Sequence, residues 1–388
     1  MRYEGVSIFT GKPVSVTVEG GFISQVTELD TRDKLPYISP GFLDMQVNGY
    51  VGSDYSLEDF NEEHLGSIIE SLAKSGTTQH VPTIVSSPQE LIVKNLKVIS
   101  GAMERHPEIA DAISGIHIEG PYISSEDGPR GAHDPRYVRD PSIDEYREWQ
   151  ESSGGRISIV TLAPERKGAI DFIKLIVSEG VTASLGHTGA SPEQINEAVD
   201  AGASLSTHLG NGSYAVIPRL KNYIWEQLAR DELTIGVISD GFHLPPSVVK
   251  VFLRVKGYDR MILVSDVALL GGMKPGIYKW GNLDVQVYDD GHLGLPGTEY
   301  LAGAGHLLDW DLAHFMRFTG SSLKDAIGLC TLNPARVLGL GKSYKSYGKL
   351  EAGAPANIVL FEYNTGDERL EILKTVTMGR EVFNAPGR

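Results

Sequence analysis

The stretch Gly115–Pro121, with the sequence GIHIEGP, is a short apolar run that ends in a glycine and a proline. This run predicts a buried strand that opens into a loop directly after Glu119. Because side chains alternate along a strand, His117 and Glu119 are expected on the same face. A carboxylate at the mouth of a buried strand is costly unless a positive group meets it. A helix cap or an ion pair would satisfy such a glutamate, and so would a metal ion.

Two later strands end in the same way, with a histidine in the place of the glutamate. They are residues 182–188, with the sequence TASLGHT, and residues 205–211, with the sequence LSTHLGN. A single histidine at a strand end is often a core or capping residue. Here, however, Glu119, His187 and His208 recur at one structural position in βα units. Neutral imidazoles and a carboxylate are the ligands of a catalytic zinc ion, which keeps one position open for water. The pattern therefore predicts a metal site.

The composition is that of a globular protein, and it limits the partners. The chain has 388 residues, 41% of them hydrophobic, and a net charge of −15 without an acidic tail. This charge argues against nucleic acid or an anionic membrane as a partner, and an anionic substrate would need a local cationic pocket. Residues 1–12 lack a basic start followed by an apolar run, so we expect no signal sequence there, and no apolar run approaches the roughly 20 residues of a membrane span. The single cysteine, Cys330, excludes an intrachain disulfide and indicates a reducing compartment, so we expect a cytoplasmic protein.

Both ends of the chain have the alternating pattern of β-strands. Residues 14–18 and 22–26 alternate around a glycine turn, and residues 356–361 and 375–382 are similar. Each end is too small to hold a core by itself. We therefore predict a small discontinuous β-sandwich domain that consists of residues 1–40 and 345–388.

Between these ends, strand and helix patterns alternate. Eight such strands favour a (β/α)8 TIM-like barrel over residues 41–344. The alternative, an open doubly wound sheet, is disfavoured because no glycine-rich phosphate loop follows the first strand. The predicted strands are residues 41–48, 76–85, 113–119, 157–163, 182–187, 205–210, 234–240 and 261–266. The predicted helices include residues 63–74, 88–103, 169–179, 192–201 and 246–255.

A barrel carries its chemistry at the carboxyl ends of its strands, and Asp266 lies at the end of the eighth strand. An aspartate at this position often caps the next helix. Beside a metal ion, it could instead take a proton from water and later deliver it to a leaving amine. The metal would make hydroxide available by lowering the pKa of water from about 15.7 toward 7.

Other polar residues follow the strands and are candidates for substrate contacts. His133 lies in the loop beyond the third strand, where it could polarise a carbonyl, hold a hydroxyl or simply be exposed. His243 follows the seventh strand and allows the same roles. Asn211 and Gly212 follow His208, and their backbone N–H groups could bind an oxyanion.

Short motifs along the whole chain add a family resemblance. They are residues 40–49 (PGFLDMQVNG), 76–78 (GTT) with 82–83 (PT), 115–121, 131–135 (GAHDP), 161–165 (TLAPE), 186–187 (GH), 207–209 (THL) with 211 (N), 240–243 (DGFH), 265–266 (SD) and 331–335 (TLNPA). In this order they resemble the amidohydrolase superfamily, and within it the N-acetylglucosamine-6-phosphate deacetylases. The resemblance implies that Glu119, His187 and His208 bind one divalent metal ion. It also implies that Asp266 is the general base and acid, and that His133 and His243 contact the substrate.

The first strand bears on the number of metal ions. Many superfamily members have His-x-His there, which supplies a second metal site, whereas this chain has Gln46 and Asn48. Neutral amides are poorer ligands for a transition metal than imidazole. We therefore expect one divalent ion per chain, zinc in the first place, with iron or another divalent ion as the alternative.

The chain departs from the family around the sugar phosphate. The family has an arginine that binds the phosphate of a neighbouring subunit's substrate, and Arg219 occupies that place with entirely different flanking residues. If the arrangement holds, the protein is a homodimer and Arg219 binds phosphate. The alternative is an exposed arginine that contacts nothing, so the sequence leaves the sugar and its phosphorylation open.

The motifs thus favour removal of acetyl from an N-acetylhexosamine 6-phosphate, N-acetylglucosamine 6-phosphate in the first place. One alternative is another amidohydrolase reaction, on a different N-acyl sugar, a cyclic amide or a nucleobase. The other is a non-catalytic oligomeric paralogue, which would normally have lost metal ligands. All four of the residues expected to carry the chemistry, Glu119, His187, His208 and Asp266, are present.

Overall fold

Eight parallel strands form the centre of the computed structural model, which describes residues 1–281, 283–298, 300–342 and 346–386. Each strand pairs with the next in chain order, and a bridge between Val47 and Val267 joins the first strand to the end of the eighth. Numbered in chain order, the barrel strands are β5 (Phe42–Val47), β8 (Thr77–Val85), β9 (Ile116–Glu119), β10 (Ile157–Leu162), β11 (Thr182–Leu185), β12 (Leu205–Ser206), β13 (Thr234–Val237) and β14 (Met261–Leu263). The predicted (β/α)8 barrel is confirmed.

The strands are shorter than the sequence predicts, especially at their carboxyl ends. The predicted strand 205–210 ends at Ser206, and the predicted strand 261–266 ends at Leu263. His187, His208 and Asp266, which follow three of the strands, have φ angles of 50°, 27° and 50°. Positive φ lies outside the β region, so the chain leaves the ladder at or before these residues. The candidate site residues therefore lie just beyond the strands rather than within them.

Amphipathic helices cover the barrel, and the starts of α1, α4, α6, α7 and α10 are capped by local side chains. For α6, Ser191 and Gln194 form a capping box. The helices are α1 (Glu62–Ala73), α2 (Gln89–Arg105), α3 (Pro107–Ala112), α4 (Ile143–Ser152), α5 (Ala169–Ser178), α6 (Pro192–Asp200), α7 (Tyr223–Ala229), α8 (Pro246–Lys256), α9 (Leu308–Thr319), α10 (Leu323–Gly328) and α11 (Leu332–Val337). Each of the predicted helices is present within a few residues. Cys330, which follows α10, is buried and unpaired, as expected.

The two ends of the chain together form the predicted small discontinuous β domain, in which seven strands pair as one continuous sheet. Its strands are β1 (Arg2–Ser7), β2 (Pro13–Glu19), β3 (Phe22–Glu28), β4 (Tyr37–Pro40), β18 (Ile358–Glu362), β19 (Glu371–Thr377) and β20 (Arg380–Asn384). The link between the two ends is the pairing of β4 with β18. Since β4 ends at Pro40 and the barrel begins at Phe42, we retain residue 41 as the proposed domain boundary. The other proposed boundary, between residues 344 and 345, lies outside the described residues.

A small antiparallel sheet between β14 and α9 was not predicted. It consists of β15 (Gly276–Trp280), β16 (Leu283–Val287) and β17 (Leu293–Gly294). Val285, Val287 and Leu293 pack with Leu269 and Leu270 in a core of their own. A further two-stranded ribbon follows the first barrel strand, β6 (Gly49–Tyr50) with β7 (Ser53–Asp54). In the part of the chain that is described, no helix has the length and apolar character needed to cross a membrane.

Candidate active site at the mouth of the barrel

The three predicted metal ligands meet at the carboxyl ends of β9, β11 and β12. Oε1 of Glu119 lies 3.0 Å from Nε2 of His208 and 3.2 Å from Nε2 of His187, and the two Nε2 atoms are 3.1 Å apart. All three side chains are buried. A tetrahedral site with bonds of about 2.0–2.2 Å separates neighbouring ligand atoms by roughly 3.3–3.6 Å. The triad is within a few tenths of an ångström of this spacing, so these residues fit a divalent ion.

The charges of the triad also favour a cation. Burial alone would raise the pKa of Glu119, but hydrogen bonds from His187 and His208 outweigh it and hold that pKa well below its usual range. Burial alone would lower the pKa of His208, and the hydrogen bond with Glu119 reverses this, raising the pKa to about 9. Glu119 is therefore an ionised carboxylate in a buried site, which requires positive charge beside it, and without an ion the protonated His208 supplies that charge. A divalent ion would supply this charge.

The ring of His187 is oriented by the backbone. Its Nδ1 lies 2.9 Å from the carbonyl oxygen of Pro129, so Nδ1 carries the hydrogen and donates it. Nε2 faces Glu119 and His208 and lies 3.2 Å from Nε2 of His133, and its lone pair is the one that a metal ion would take in place of these contacts. This is the tautomer that a metal ligand requires, and it is inferred from the hydrogen bond.

A second possible set of metal ligands consists of Glu119, His187 and His133. The ligand atoms of these three residues lie within 4.8 Å of one another. The surroundings of His133 favour a different role. Its Nδ1 accepts from the backbone N–H of Ser86 at 3.4 Å and lies 2.8 Å from the Ser86 hydroxyl. Burial lowers the pKa of His133 to about 3, so the ring is neutral and its hydrogen lies on Nε2. Nε2 therefore donates into the site, and His208 is the better third ligand.

The two amides of the first strand hold the carboxylates of the site. Nε2 of Gln46 donates to Oε1 of Glu119 at 3.0 Å, and Nδ2 of Asn48 donates to Oδ1 of Asp266 at 2.7 Å. Asp266 is fully buried and lies close enough to His208 and Glu119 to feel their charges. Burial and the charge of Glu119 raise the pKa of Asp266 to about 6, against the opposing effects of His208 and Asn48. A carboxyl group poised near neutral pH suits proton transfer.

Two of the three ligand residues and Asp266 have strained backbones. His187, His208 and Asp266 all have positive φ, a conformation that costs of order 1–3 kcal/mol at a non-glycine residue. Such strain persists only where the surrounding contacts hold it. Three strained residues at three strand ends therefore mark this edge of the barrel as a functional site.

His243 is fixed by a turn that Asp240 closes. Oδ1 of Asp240 accepts the N–H groups of Phe242 and His243 at 2.9 Å each, and Nδ1 of His243 donates to Oδ2 at 2.7 Å. Burial alone would raise the pKa of Asp240, but His243 outweighs it and lowers the pKa to about 2. Nε2 of His243 is left for a ligand.

The segment that follows His208 packs against the ring of the metal ligand His187. Gly212 has a φ of 55°, and a Cβ atom there would lie 2.6 Å from Nδ1 of His187, so only glycine fits. The side chain of Asn211 donates back to the carbonyl of His208 at 3.2 Å.

Arg219 lies farther along, on an exposed loop, and its guanidinium bonds to none of the described residues. The structure thus brings together all the predicted site residues except Arg219. Among the described residues His243 has no direct contact with the triad, but it lies close enough to Asp266 for its charge to lower the pKa of that carboxyl group.

The fold and this site define a hydrolase barrel with a candidate metal centre, and comparison with known proteins gives the family. The model of the amidohydrolase family matches residues 37–382. The chain therefore belongs to the amidohydrolase family, whose superfamily is metal-dependent.

Within this family, the relatives are N-acetylglucosamine-6-phosphate deacetylases. The Homo sapiens enzyme is 32% identical over 364 residues, 90% of this chain and 84% of its own length. The Bacillus subtilis enzyme is 29% identical over 381 residues, 95% of this chain and 92% of its own. The crystal structure of the Thermotoga maritima enzyme superposes with a TM-score of 0.84 at 27% identity, covering 99% of this chain and 100% of its own. That of a Mycobacterium smegmatis variant in complex with N-acetyl-D-glucosamine 6-phosphate has a TM-score of 0.84 at 26% identity, covering 95% and 94%.

Proposed function

We propose that the protein hydrolyses N-acetylglucosamine 6-phosphate to acetate and glucosamine 6-phosphate with the help of a divalent metal ion. The observation that carries this proposal is the convergence of Glu119, His187 and His208, with Asp266 beside them, in a barrel of the deacetylase family. The complete ligand set argues against a non-catalytic paralogue. The similarity to deacetylases over nearly the whole chain favours this reaction over a cyclic amide or a nucleobase.

Each side chain has a distinct role in this reaction. Glu119, His187 and His208 would hold the ion, which when bound lowers the pKa of water from about 15.7 toward 7 and polarises a carbonyl. Asp266 accepts the proton of the attacking water and returns it to the departing nitrogen. Nε2–H of His133 donates to a substrate oxygen. Asn211, Gly212 and His243 are proposed to hold the rest of the substrate.

We propose a single ion per chain, zinc in the first place, with iron or another divalent ion as the alternative. The first strand, which supplies ligands of a second ion in other members of the superfamily, presents the N–H groups of Gln46 and Asn48 to carboxylates. An amide that donates in this way does not offer a lone pair to a metal. A cytoplasmic location stays our proposal, supported by the unpaired Cys330.

The function is tested by acetate release. Purified protein loaded with zinc should release one acetate from each N-acetylglucosamine 6-phosphate and show far less activity on cyclic amides and nucleobases. The unphosphorylated sugar and the 6-phosphate of N-acetylgalactosamine should be included, because they test the two features that the sequence leaves open. Turnover of a cyclic amide or a nucleobase with a higher kcat/KM would contradict the proposal and support another amidohydrolase reaction.

We further propose a homodimer in which Arg219 reaches the partner's substrate. The loop around Arg219 and the first turn of α7 expose apolar side chains, Val216 at 88%, Leu220 at 73% and Trp225 at 50% of their surface. Apolar residues clustered in this way commonly mark an interface. A second copy on this surface would cover them, and it would give the unpartnered guanidinium an anion to bind.

Replacing Arg219 with alanine should lower kcat/KM on the phosphorylated sugar by roughly ten- to a hundredfold, because a charge-assisted phosphate contact is lost. On unphosphorylated N-acetylglucosamine, the same variant should behave like the unaltered protein. Lys221→Ala is the matched control, since Lys221 is an exposed cation of the same loop. Equal losses on the two sugars, or an unaltered protein that prefers the unphosphorylated sugar, would remove the phosphate from the proposed substrate but leave the deacetylation standing.

A further inference from the structure

The carboxylate of Glu165, in the loop after β10, contacts the segment that follows the metal ligand His187. Oε2 of Glu165 accepts a hydrogen bond from the hydroxyl of Thr188 at 2.5 Å, and Oε1 accepts the backbone N–H of Gly189 at 2.8 Å. Both oxygens of the carboxylate are therefore engaged by the two residues directly after His187. Glu165 takes no direct part in the proposed reaction.

The conformation of His187 requires this kind of support. Its φ of 50° is strained for a histidine, so the backbone on each side must be held in place. The carbonyl oxygen of His187 accepts from the N–H of Ser124 at 2.9 Å, and its Nδ1 donates to Pro129 at 2.9 Å. These contacts fix the carbonyl and the ring. Glu165 fixes the chain immediately beyond them.

We propose that Glu165 is a positioning residue for the metal ligand His187. By holding Thr188 and Gly189, it keeps His187 in the left-handed conformation that directs Nε2 to Glu119 and His208. The inference rests on the proposed metal centre, because positioning matters only if His187 binds an ion. Groups that orient a ligand without touching the metal commonly change metal affinity by about 10–100-fold when they are lost.

The direct test is metal affinity rather than activity. In Glu165→Ala, the affinity for zinc, measured by competition with a chelating dye, should fall by about 10–100-fold. Some loss of thermal stability in the metal-free variant will accompany the loss of the two hydrogen bonds, so zinc affinity and not stability is the deciding measurement. Thr188→Val removes one of the two hydrogen bonds to Glu165, together with the acceptor of the Ala190 N–H, with little change of shape, and should give a smaller loss of affinity. In the double variant Glu165→Ala/Thr188→Val, the two losses should not add.

Glu179→Ala is the matched control. Like Glu165, Glu179 accepts a hydrogen bond from a side-chain hydroxyl, that of Tyr146 at 2.9 Å, and it also pairs with an arginine. Unlike Glu165, it lies at the carboxyl end of α5, away from the strand ends that carry the site. Its loss should leave zinc affinity unchanged.

The outcomes separate this inference from the proposed function. Unchanged zinc affinity in both Glu165→Ala and Thr188→Val would overturn the positioning role, and so would an equal loss in Glu179→Ala. Lower thermal stability of the metal-free Glu165→Ala protein with normal zinc affinity would show a structural brace only and would also overturn it. If the unaltered protein bound no zinc, cobalt or iron, the metal centre itself would fall, and this inference with it.

Discussion

Replacing His187 with alanine is expected to remove the metal ion and the activity together. The unaltered protein should hold about one divalent ion per chain, and the variant close to none, because Glu119 and His208 alone leave a catalytic site one ligand short. Turnover should fall by more than roughly 10³-fold, since the ion is what brings the pKa of water from about 15.7 toward 7. Elemental analysis of the dialysed protein and acetate release measure the two effects on one sample.

A buried histidine elsewhere in the barrel separates metal loss from general destabilisation. The ring of His80 is also fully buried and bonded at both nitrogens, to Tyr55 and to the carbonyl of Ala112. His80→Ala should therefore lower stability but keep the ion. Retention of the ion by His187→Ala would show that His187 is not a ligand. Two tightly bound ions per unaltered chain, one of them held by the first strand, would contradict the single-ion proposal.

The fold could be predicted because each strand and helix has a recognisable pattern in its own stretch of sequence. Short apolar strands separated by amphipathic helices predict a parallel barrel, and in such a barrel the carboxyl ends of all strands face one side. Glu119, His187 and His208 were therefore expected to meet, although 89 residues separate the first from the last. In the structure the three ligand atoms lie within 3.2 Å of one another.

The backbone at these residues was not predictable. Local sequence favours an extended conformation through His208, and nothing in it indicates a φ of 27°. Non-glycine residues adopt positive φ where tertiary contacts hold them, and such contacts involve residues distant along the chain. Glu165 is 23 residues from Thr188, and Ser86 is 47 residues from His133. The predicted strands therefore included residues, such as His208, that lie beyond the ends of the observed strands.

The roles of the supporting groups were not predictable for the same reason, although Glu165 ends one of the family motifs, residues 161–165. A serine at the end of a strand, such as Ser86, or a glutamate in a loop, such as Glu165, has many possible roles. Only the three-dimensional structure shows that one sets the tautomer of His133 and that the other holds the chain after His187. The partner of Arg219 is a different case, because in our proposal it belongs to a second chain.

Replacing Asp266 with asparagine should preserve the metal ion but reduce turnover by roughly 10²–10⁴-fold, the usual range for loss of a general acid–base group. This range corresponds to about 2.7–5.4 kcal/mol in the activation barrier. The asparagine keeps the shape of the side chain and an oxygen that can accept from Nδ2 of Asn48, as Oδ1 does now. It cannot accept the proton of the attacking water. The metal content should therefore equal that of the unaltered protein, in contrast to His187→Ala.

The pH profile distinguishes a proton acceptor from a helix cap. Burial and the charge of Glu119 raise the pKa of Asp266 to about 6, and a bound cation would lower it from there. Because the base must be ionised, kcat/KM of the unaltered protein should fall as the pH drops through the pKa of Asp266, at or below about 6, and the asparagine variant should lose this acidic limb.

Asp54→Asn is the matched control, since burial also raises the pKa of Asp54 to about 7 and its carboxylate accepts from the backbone of Ser56. The control should keep both turnover and the acidic limb. Near-normal turnover in Asp266→Asn would leave Asp266 with a capping role alone, and the proton would need another acceptor in the site.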